Sequence, residues 1–355
     1  MKKSLIALAV LAASGASMAQ SSVTVYGLVD AAVAHTSTTT NTYVANVLTT
    51  SVKTNQNVVA SSGANNSRWG LKGSEDLGGG MKANFVLESG FTTDDGAAQG
   101  VQFGRQAFVG LEGGFGSVTL GRQYTAYYSL FTATNNLYDS NLATTATTAT
   151  TLGKGVWSNG IAHHQVRANN SIAYTSPVFS GFSGAAVVGL GEDKNANNVA
   201  NSATGNNSLH IKYANGPLLV GYAYQAEKTS PTPAVADSTV TTRYNLLAGS
   251  YDFGVAKLTA GFNVAKQNTI KDNEFQVGVS VPFGAAAVAA GYSYSKSETA
   301  GVTTGKASGL SLLGTYSLSK RTTLYAGLAG NTFENAAGAT TSKSSVVAAG
   351  VRHTF

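Results

Sequence analysis

The feature that most restricts this chain is a two-residue alternation of apolar and polar side chains that recurs along most of its length. From Glu274 to Val281, the apolar Phe275, Val277, Val279 and Val281 alternate with Glu274, Gln276, Gly278 and Ser280. From Lys257 to Val264, the residues Leu258, Ala260, Phe262 and Val264 share one face, opposite Lys257, Thr259, Gly261 and Asn263. Leu209, Ile211 and Tyr213 alternate with His210 and Lys212, and Leu310, Leu312, Gly314 and Tyr316 with Ser311 and Thr315. A period of two throws successive side chains to opposite faces of a strand, whereas a helix would need apolar spacings of three and four. The pattern predicts β structure throughout.

Composition says what the two faces meet. Charged residues make up 11% of the chain, against roughly 25% in ordinary soluble domains. Hydrophobic residues are nevertheless only 43%, and no stretch beyond the N-terminus is apolar for the length of a membrane helix. Low charge without a spanning helix is explained if each strand turns one face to lipid and the other to water. The 41 Gly and 5 Pro fit many turns and few helices, and 30 Tyr and Phe can furnish aromatic girdles at the membrane surfaces. The absence of Cys excludes disulfides, thiolate chemistry and zinc–thiolate sites.

The first residues read as an export signal. Lys2 and Lys3 precede a short apolar run, Leu5 to Ala13, and Ser17-Met18-Ala19 offers small residues for cleavage before Gln20. The expected organisation is a cleaved signal at 1–19 and a single transmembrane barrel domain at 20–355. Removing Lys2 and Lys3 leaves 21 basic against 17 acidic residues, a net charge near +4, with the basic residues dispersed. A nucleic-acid surface would need them concentrated among stacking aromatics, so no nucleic-acid partner is expected.

Connections alternate in length. Short turns are expected at 75–80, 113–116, 215–217, 252–254, 283–284 and 319–320. Longer Thr-, Ser-, Asn- and Ala-rich stretches, expected as loops, occupy 35–60, 193–206, 229–240 and 297–305. Short turns on one rim and long loops on the other describe an outer-membrane barrel. The predicted strands begin 23–34, 60–74, 80–92, 101–112, 117–124, 168–176, 181–192 and 206–214. They continue 217–228, 241–252, 255–266, 273–282, 286–297, 307–318, 321–332 and 345–355, about 16 in all, enough for an aqueous channel. The longest connection, Thr125 to Arg167, is the third long loop and contains the low-complexity run Thr144 to Thr151. Its length marks it as functional.

The cost of lipid exposure orients the charged residues. A charge facing mid-bilayer lipid costs a barrel about 2–4 kcal/mol, so Arg68, Arg105, Arg122 and Arg167 should face the lumen. Lys82, Asn84 and Glu88 are likewise placed inward, with Phe85 and Leu87 outward. Asp30 shares a face with Thr24 and Tyr26. In a narrow low-dielectric passage, rings of Arg or Lys favour anions. No nucleophile elbow, phosphate loop, dinucleotide fingerprint or His-Glu-x-x-His motif is present. The adjacent His163 and His164 lack acidic partners and read as polar loop residues, so neither metal nor cofactor is expected.

Several ordered pieces then carry a family resemblance. They are Ser22-Val23-Thr24-Val25-Tyr26-Gly27-Leu28-Val29-Asp30-Ala31, the segment from Ser67-Arg68-Trp69-Gly70 to Asp76-Leu77-Gly78, and Phe103-Gly104-Arg105-Gln106 to Leu111. Gly113-Gly114-Phe115-Gly116 to Gly121-Arg122-Gln123, Arg167-Ala168-Asn169-Asn170 to Tyr174, and the close Gly350-Val351-Arg352-His353-Thr354-Phe355 complete the set. Together, across the mature length, they resemble the general trimeric outer-membrane porins of beta-proteobacteria. The resemblance implies a homotrimer of 16-stranded barrels in outer-membrane lipid, each with its third loop folded into the lumen. It also implies passive diffusion of small hydrophilic solutes and ions, and Phe355 as a mark for the barrel assembly machinery.

By position, Arg68, Arg105 and Arg167 resemble the family's arginine cluster, with Arg122 close behind and Lys82 on the same wall. Asp139, Glu88 and Asp30 are the candidate acids of the lumen and third loop. The family often carries more acid in that loop, and here 125–167 holds only Asp139, so a one-sidedly basic, anion-preferring constriction is expected. Two rivals remain at this point. A barrel enzyme would need a nucleophile and base, and five scattered His supply no motif. A plugged structural or adhesive barrel would need a packed interior, whereas the inward positions here are mostly small or polar.

Overall fold

The computed structural model describes residues 22–134, 164–191, 205–229 and 240–355. The export signal, Asp139 and the Thr144–Thr151 run lie outside the described residues, as do most of the expected loops at 193–206 and 229–240. The chain begins with β1 (Ser22–Val44), β2 (Val47–Ser61), β3 (Arg68–Gly78) and β4 (Met81–Gly90). Next come β5 (Gln106–Gly113), β6 (Gly116–Tyr124), helix α1 (Ala126–Ala133), β7 (Arg167–Thr175) and β8 (Phe182–Gly189). Then follow β9 (Gly205–Asn215), β10 (Leu218–Thr229), β11 (Val240–Asp252), β12 (Lys257–Gln267) and β13 (Ile270–Phe283). The last four are β14 (Ala286–Thr299), β15 (Val302–Ser317), β16 (Thr322–Asn335) and β17 (Thr340–Thr354).

From β3 onward each strand pairs antiparallel with the next. The ring closes on β1. One edge of β1 pairs β17 along Leu28–Thr40. The other edge pairs β3 through Ser22–Leu28 and β2 through Ala31–Val44. β2 and β3 are therefore the two halves of one stave, and seventeen segments make a closed barrel of sixteen staves. Closure removes the open sheet edge that a membrane cannot tolerate.

The faces are inverted relative to a water-soluble protein. Val109, Leu120, Ile172, Leu209, Ile211, Leu247, Phe262, Val277, Leu310 and Val347 are exposed on the outside. Ser208, His210, Gln225, Thr242, Asn263, Glu274, Ser295 and Ser344, on the alternate positions, are buried. An apolar exterior around a polar interior suits lipid outside and water within.

Two of the expected long loops are strand instead. Residues 35–44 and 47–60 form a paired hairpin closed by a two-residue turn at Ala45-Asn46, both left-handed at φ 50° and 64°. Residues 297–305 likewise continue β14 and β15 across the turn Ala300-Gly301, at φ 51° and 83°. These are turns whose twist matches that of a hairpin. The Thr-rich composition that suggested loops in fact favours strand, because β-branched side chains suit the pleated backbone. Where both faces are wet, the apolar–polar alternation has nothing to record.

Two departures turn inward. The predicted strand 60–74 is broken at 62–67, where Ser62 adopts φ 67° and Gly63, Ala64, Asn66 and Ser67 are buried inside the wall. Asp30 organises this clip. Its carboxylate accepts the amides of Gly63 at 2.8 Å, Ala64 at 3.1 Å and Asn65 at 2.8 Å, and the Tyr325 hydroxyl at 2.5 Å. Asn65 Oδ1 in turn accepts Arg352 Nη1 at 2.7 Å. At the foot of the same seam Phe355 exchanges backbone hydrogen bonds with Gly27, both 3.1 Å.

The second inward element is α1, an exception to β structure throughout. Thr125 caps it by accepting the Tyr128 amide at 3.1 Å, satisfying one of the amides that a helix start leaves free. Tyr127, Tyr128, Leu130 and Phe131 are buried against Ala223, Tyr244, Leu246 and Ala248 of the wall. The third long connection thus begins by crossing into the barrel.

Candidate functional site

The candidate site is built from registers of the first strands. Tyr26 lies opposite Gly70, and Gly70 opposite Glu88, so one line across β1, β3 and β4 carries all three. A side chain at position 70 would meet the Tyr26 ring and its hydroxyl at 2.9 Å. Glycine lets the tyrosine reach across, and its hydroxyl donates to Glu88 Oε2 at 3.0 Å. Arg68, two residues from Gly70 on the same face, brings its Nε within 3.7 Å of that oxygen.

Arg105 precedes β5 rather than lying inside the predicted strand 101–112. Its Nε donates to Glu88 Oε1 at 2.7 Å, with side-chain exposures of only 7% and 5%. Its Nη2 donates to the Tyr124 hydroxyl at 2.8 Å. Arg167, opposite Tyr124 in the β6–β7 register, donates from Nη2 to the same hydroxyl at 3.2 Å. Its guanidinium also stands 4.8 Å over the Tyr124 ring, a favourable cation–π contact.

The structure therefore brings Arg68, Arg105, Arg167 and Glu88 together. Arg122 is spent on backbone and amide partners. It donates to the Gly104 carbonyl at 2.6 Å and to Asn169 Oδ1, beside the register slip between Gly121 and Gln123. Asn169 lies two residues along β7 from Arg167, so Arg122 stands at the edge of the group. Lys82 lies elsewhere. Six residues along β4 from Glu88, roughly 20 Å of strand, it stands between Asp76 and Glu112 in the ladder. Asp30 is committed to the clip at 62–67, and Phe355 to the seam.

The acids that the sequence reading sought on the third loop have wall-borne counterparts among the described residues. Glu227 on β10 and Asp272 and Glu274 on β13 are buried inward-facing groups. Glu227 Oε1 accepts the Gln165 amide at 2.5 Å and Gln225 Nε2 at 2.7 Å. Tyr127 donates to Asn263 Oδ1 at 2.8 Å, and Asn263 Nδ2 to Glu274 Oε2 at 2.7 Å. The wall so holds both the start of the third connection and its return. Extending the lipid-cost rule from Glu88 to the acids of the later strands would have found these positions in the sequence. Alternation placed Tyr26 on the face of Asp30, whereas Tyr124 carried no such signal.

Beside this array a cavity of about 550 Å³ runs between α1 and the β3–β8 wall. Thr24, Lys72, Asn84, Gln106, Gln123 and Ser129 line it. Phe85, Val86, Phe108 and Val187 share the lining with these polar groups, and the guanidiniums stand beside it.

Comparison with known proteins agrees with this geometry. Residues 5–336 match the sequence profile of the Gram-negative porins. Outer membrane porin protein 32 of Delftia acidovorans is 38% identical over 343 residues, spanning 93% of this chain and 89% of that protein. An outer membrane porin of Bordetella pertussis is 33% identical over the full length of both chains, 397 aligned positions. The anion-selective porin from Comamonas acidovorans superposes with a TM-score of 0.72 at 30% identity, covering 95% of this chain and all of that one. With its sixteen-stave barrel, lipid-facing exterior and inward third connection, the chain belongs to the Gram-negative porin family and is an outer-membrane porin.

Proposed function

We propose that the protein is a water-filled, anion-preferring channel for passive diffusion of small hydrophilic solutes and ions. The observation behind this reading is the charge balance at the constriction. Arg68 and Arg105 face the carboxylate of Glu88, Arg167 joins Arg105 through the Tyr124 hydroxyl, and Arg122 bonds Asn169 two residues along β7. Four guanidiniums thus gather on a stretch of wall where Glu88 pairs with two of them. Fixed positive charge in a narrow passage attracts anions and raises the barrier to cations. The porin of similar structure from Comamonas acidovorans is described as anion-selective, which supports the same reading. Purified protein in planar bilayers under a KCl gradient should give stepwise conductance and a reversal potential of anion sign. Arg68→Ser with Arg167→Ser should shift that potential towards zero by a large fraction. Cation preference in the wild type would overturn the role given to the arginines.

We further propose that residues 1–19 are removed on export and that the mature chain acts as a homotrimer. Gly314, Ala326 and Ala349, set among aliphatic side chains on the outer face, support a close barrel–barrel contact. Val33, Gly314, Ala326, Leu328, Val347 and Ala349 surround a shallow depression of about 700 Å³. Exposed aromatics such as Tyr222, Tyr251, Phe262 and Phe275 belong to other strands, and on the strands of the depression Tyr292 and Tyr316 lie outside its lining. Small side chains let membrane-embedded surfaces approach closely, and packing is what drives association there.

A further inference from the structure

We propose that Tyr124 is a positioning residue of the channel, its hydroxyl the shared acceptor that pairs Arg105 with Arg167 and so sets the strength of anion preference. This rests on the anion-preferring reading above and assigns the geometry behind it to one side chain outside the arginine cluster.

A phenolic oxygen has lone pairs enough to accept twice, and here two guanidiniums use it, at 2.8 and 3.2 Å. Like charges drawn to one atom repel, so the pair persists only while something holds both. Arg105 has a second anchor in Glu88. Arg68 donates to the Asn66 carbonyl at 3.0 Å, and Arg122 to Gly104 and Asn169. Arg167 differs. Among the described residues its one hydrogen bond goes to Tyr124, its buried Nε has no acceptor, and its charged face rests on the Tyr124 ring. One residue holds it from two sides.

The chemistry of the acceptor matters. A carboxylate in this place would hold two arginines while cancelling one charge. A neutral hydroxyl holds them without a second carboxylate, so the charge of Arg167 is not cancelled while Arg105 keeps its pairing with Glu88. Tyr124 also directly precedes the α1 cap, and its ring lies 5.2 Å from that of Tyr128. The arginine pair and the root of the inward connection are therefore set by the same side chain.

Tyr124→Phe keeps the ring, its stacking and the cation–π contact, and removes only the shared acceptor. The measurement is the reversal potential in planar bilayers under a KCl gradient. Four proteins are compared: wild type, Tyr124→Phe, Arg167→Met and the double variant. Heat-modifiable electrophoretic mobility verifies the folded barrel of each. Tyr124→Phe should lower the chloride-to-potassium permeability ratio about twofold or more, and most of that effect should vanish in the Arg167→Met background, as expected of coupled residues. An unchanged ratio in Tyr124→Phe, or an equal loss in both backgrounds, would overturn the pairing role while leaving an anion-preferring wild type intact. A wild type without anion preference is a separate result, and it would overturn the underlying reading as well.

Discussion

At the scale of single residues, the site depends on one burial. Glu88 and Arg105 form a tight ion pair with side-chain exposures of 5% and 7%, whereas Arg68 is 27% exposed and stands 3.7 Å away. Breaking a buried pair by removing one partner typically costs about 3–5 kcal/mol, far more than losing a solvated one. Glu88→Gln should accordingly lower the urea midpoint of unfolding in detergent, and Arg68→Gln should barely move it. Equal small effects would show that water reaches the Glu88–Arg105 contact freely. The inward side of Arg68, Arg105 and Arg167 was legible in the sequence, because lipid forbids a guanidinium on the outer face. Their grouping came from the resemblance, and the same rule did not separate Lys82, which stands elsewhere. Tyr26 was legible only through the face it shares with Asp30, and Tyr124 was not. A tyrosine is equally at home in an interfacial girdle and against a polar wall, so its residue type does not reveal which side it takes.

At the scale of elements, the hairpin of β1 and β2 has a separable tip. The β1–β17 ladder ends at Thr40, and beyond it the backbone of Asn41–Val44 pairs with the start of β2, with one side-chain bond from Asn41 to the Thr340 carbonyl at 2.9 Å. Replacing Asn41–Ser51 by an Asn-Gly turn should therefore leave a folded, heat-modifiable barrel with unchanged single-channel conductance. Loss of the folded band would mean that the tip is needed to form the wall. Turns at Gly216, Gly254 and Gly284, all left-handed in the structure, could be read from sequence because glycine adopts that conformation at little cost. Ala45-Asn46 could not, since alanine at φ 50° is no turn signal. Helix α1 was hidden for a related reason. Eight residues are too few to establish a helical period, and their stability comes from tertiary packing of Tyr127 and Leu130 rather than from local preference.

At the scale of the whole molecule, inverted polarity makes the outer surface informative. If the small-residue depression around Ala326 and Ala349 is where barrels meet, Ala326→Trp should convert trimers to folded monomers on native electrophoresis in mild detergent. Tyr222→Trp, on a strand with an aromatic exterior, should leave the assembly intact. Trimers persisting in Ala326→Trp would move the contact to another face. The seam beside that depression has a different consequence, one that belongs to the order of events in time. The Asp30–Tyr325 hydrogen bond joins residues 295 positions apart, a loop whose closure costs on the order of 5 kcal/mol of chain entropy. The inward clip at 62–67 engages both ends of that loop, through Asp30 on β1 and through Tyr325 and Arg352 on the last two strands. It cannot be completed until the final strands arrive, and once made it ties the two ends of the chain at one point. The clip thus turns the slowest contact to find into one of the hardest to release.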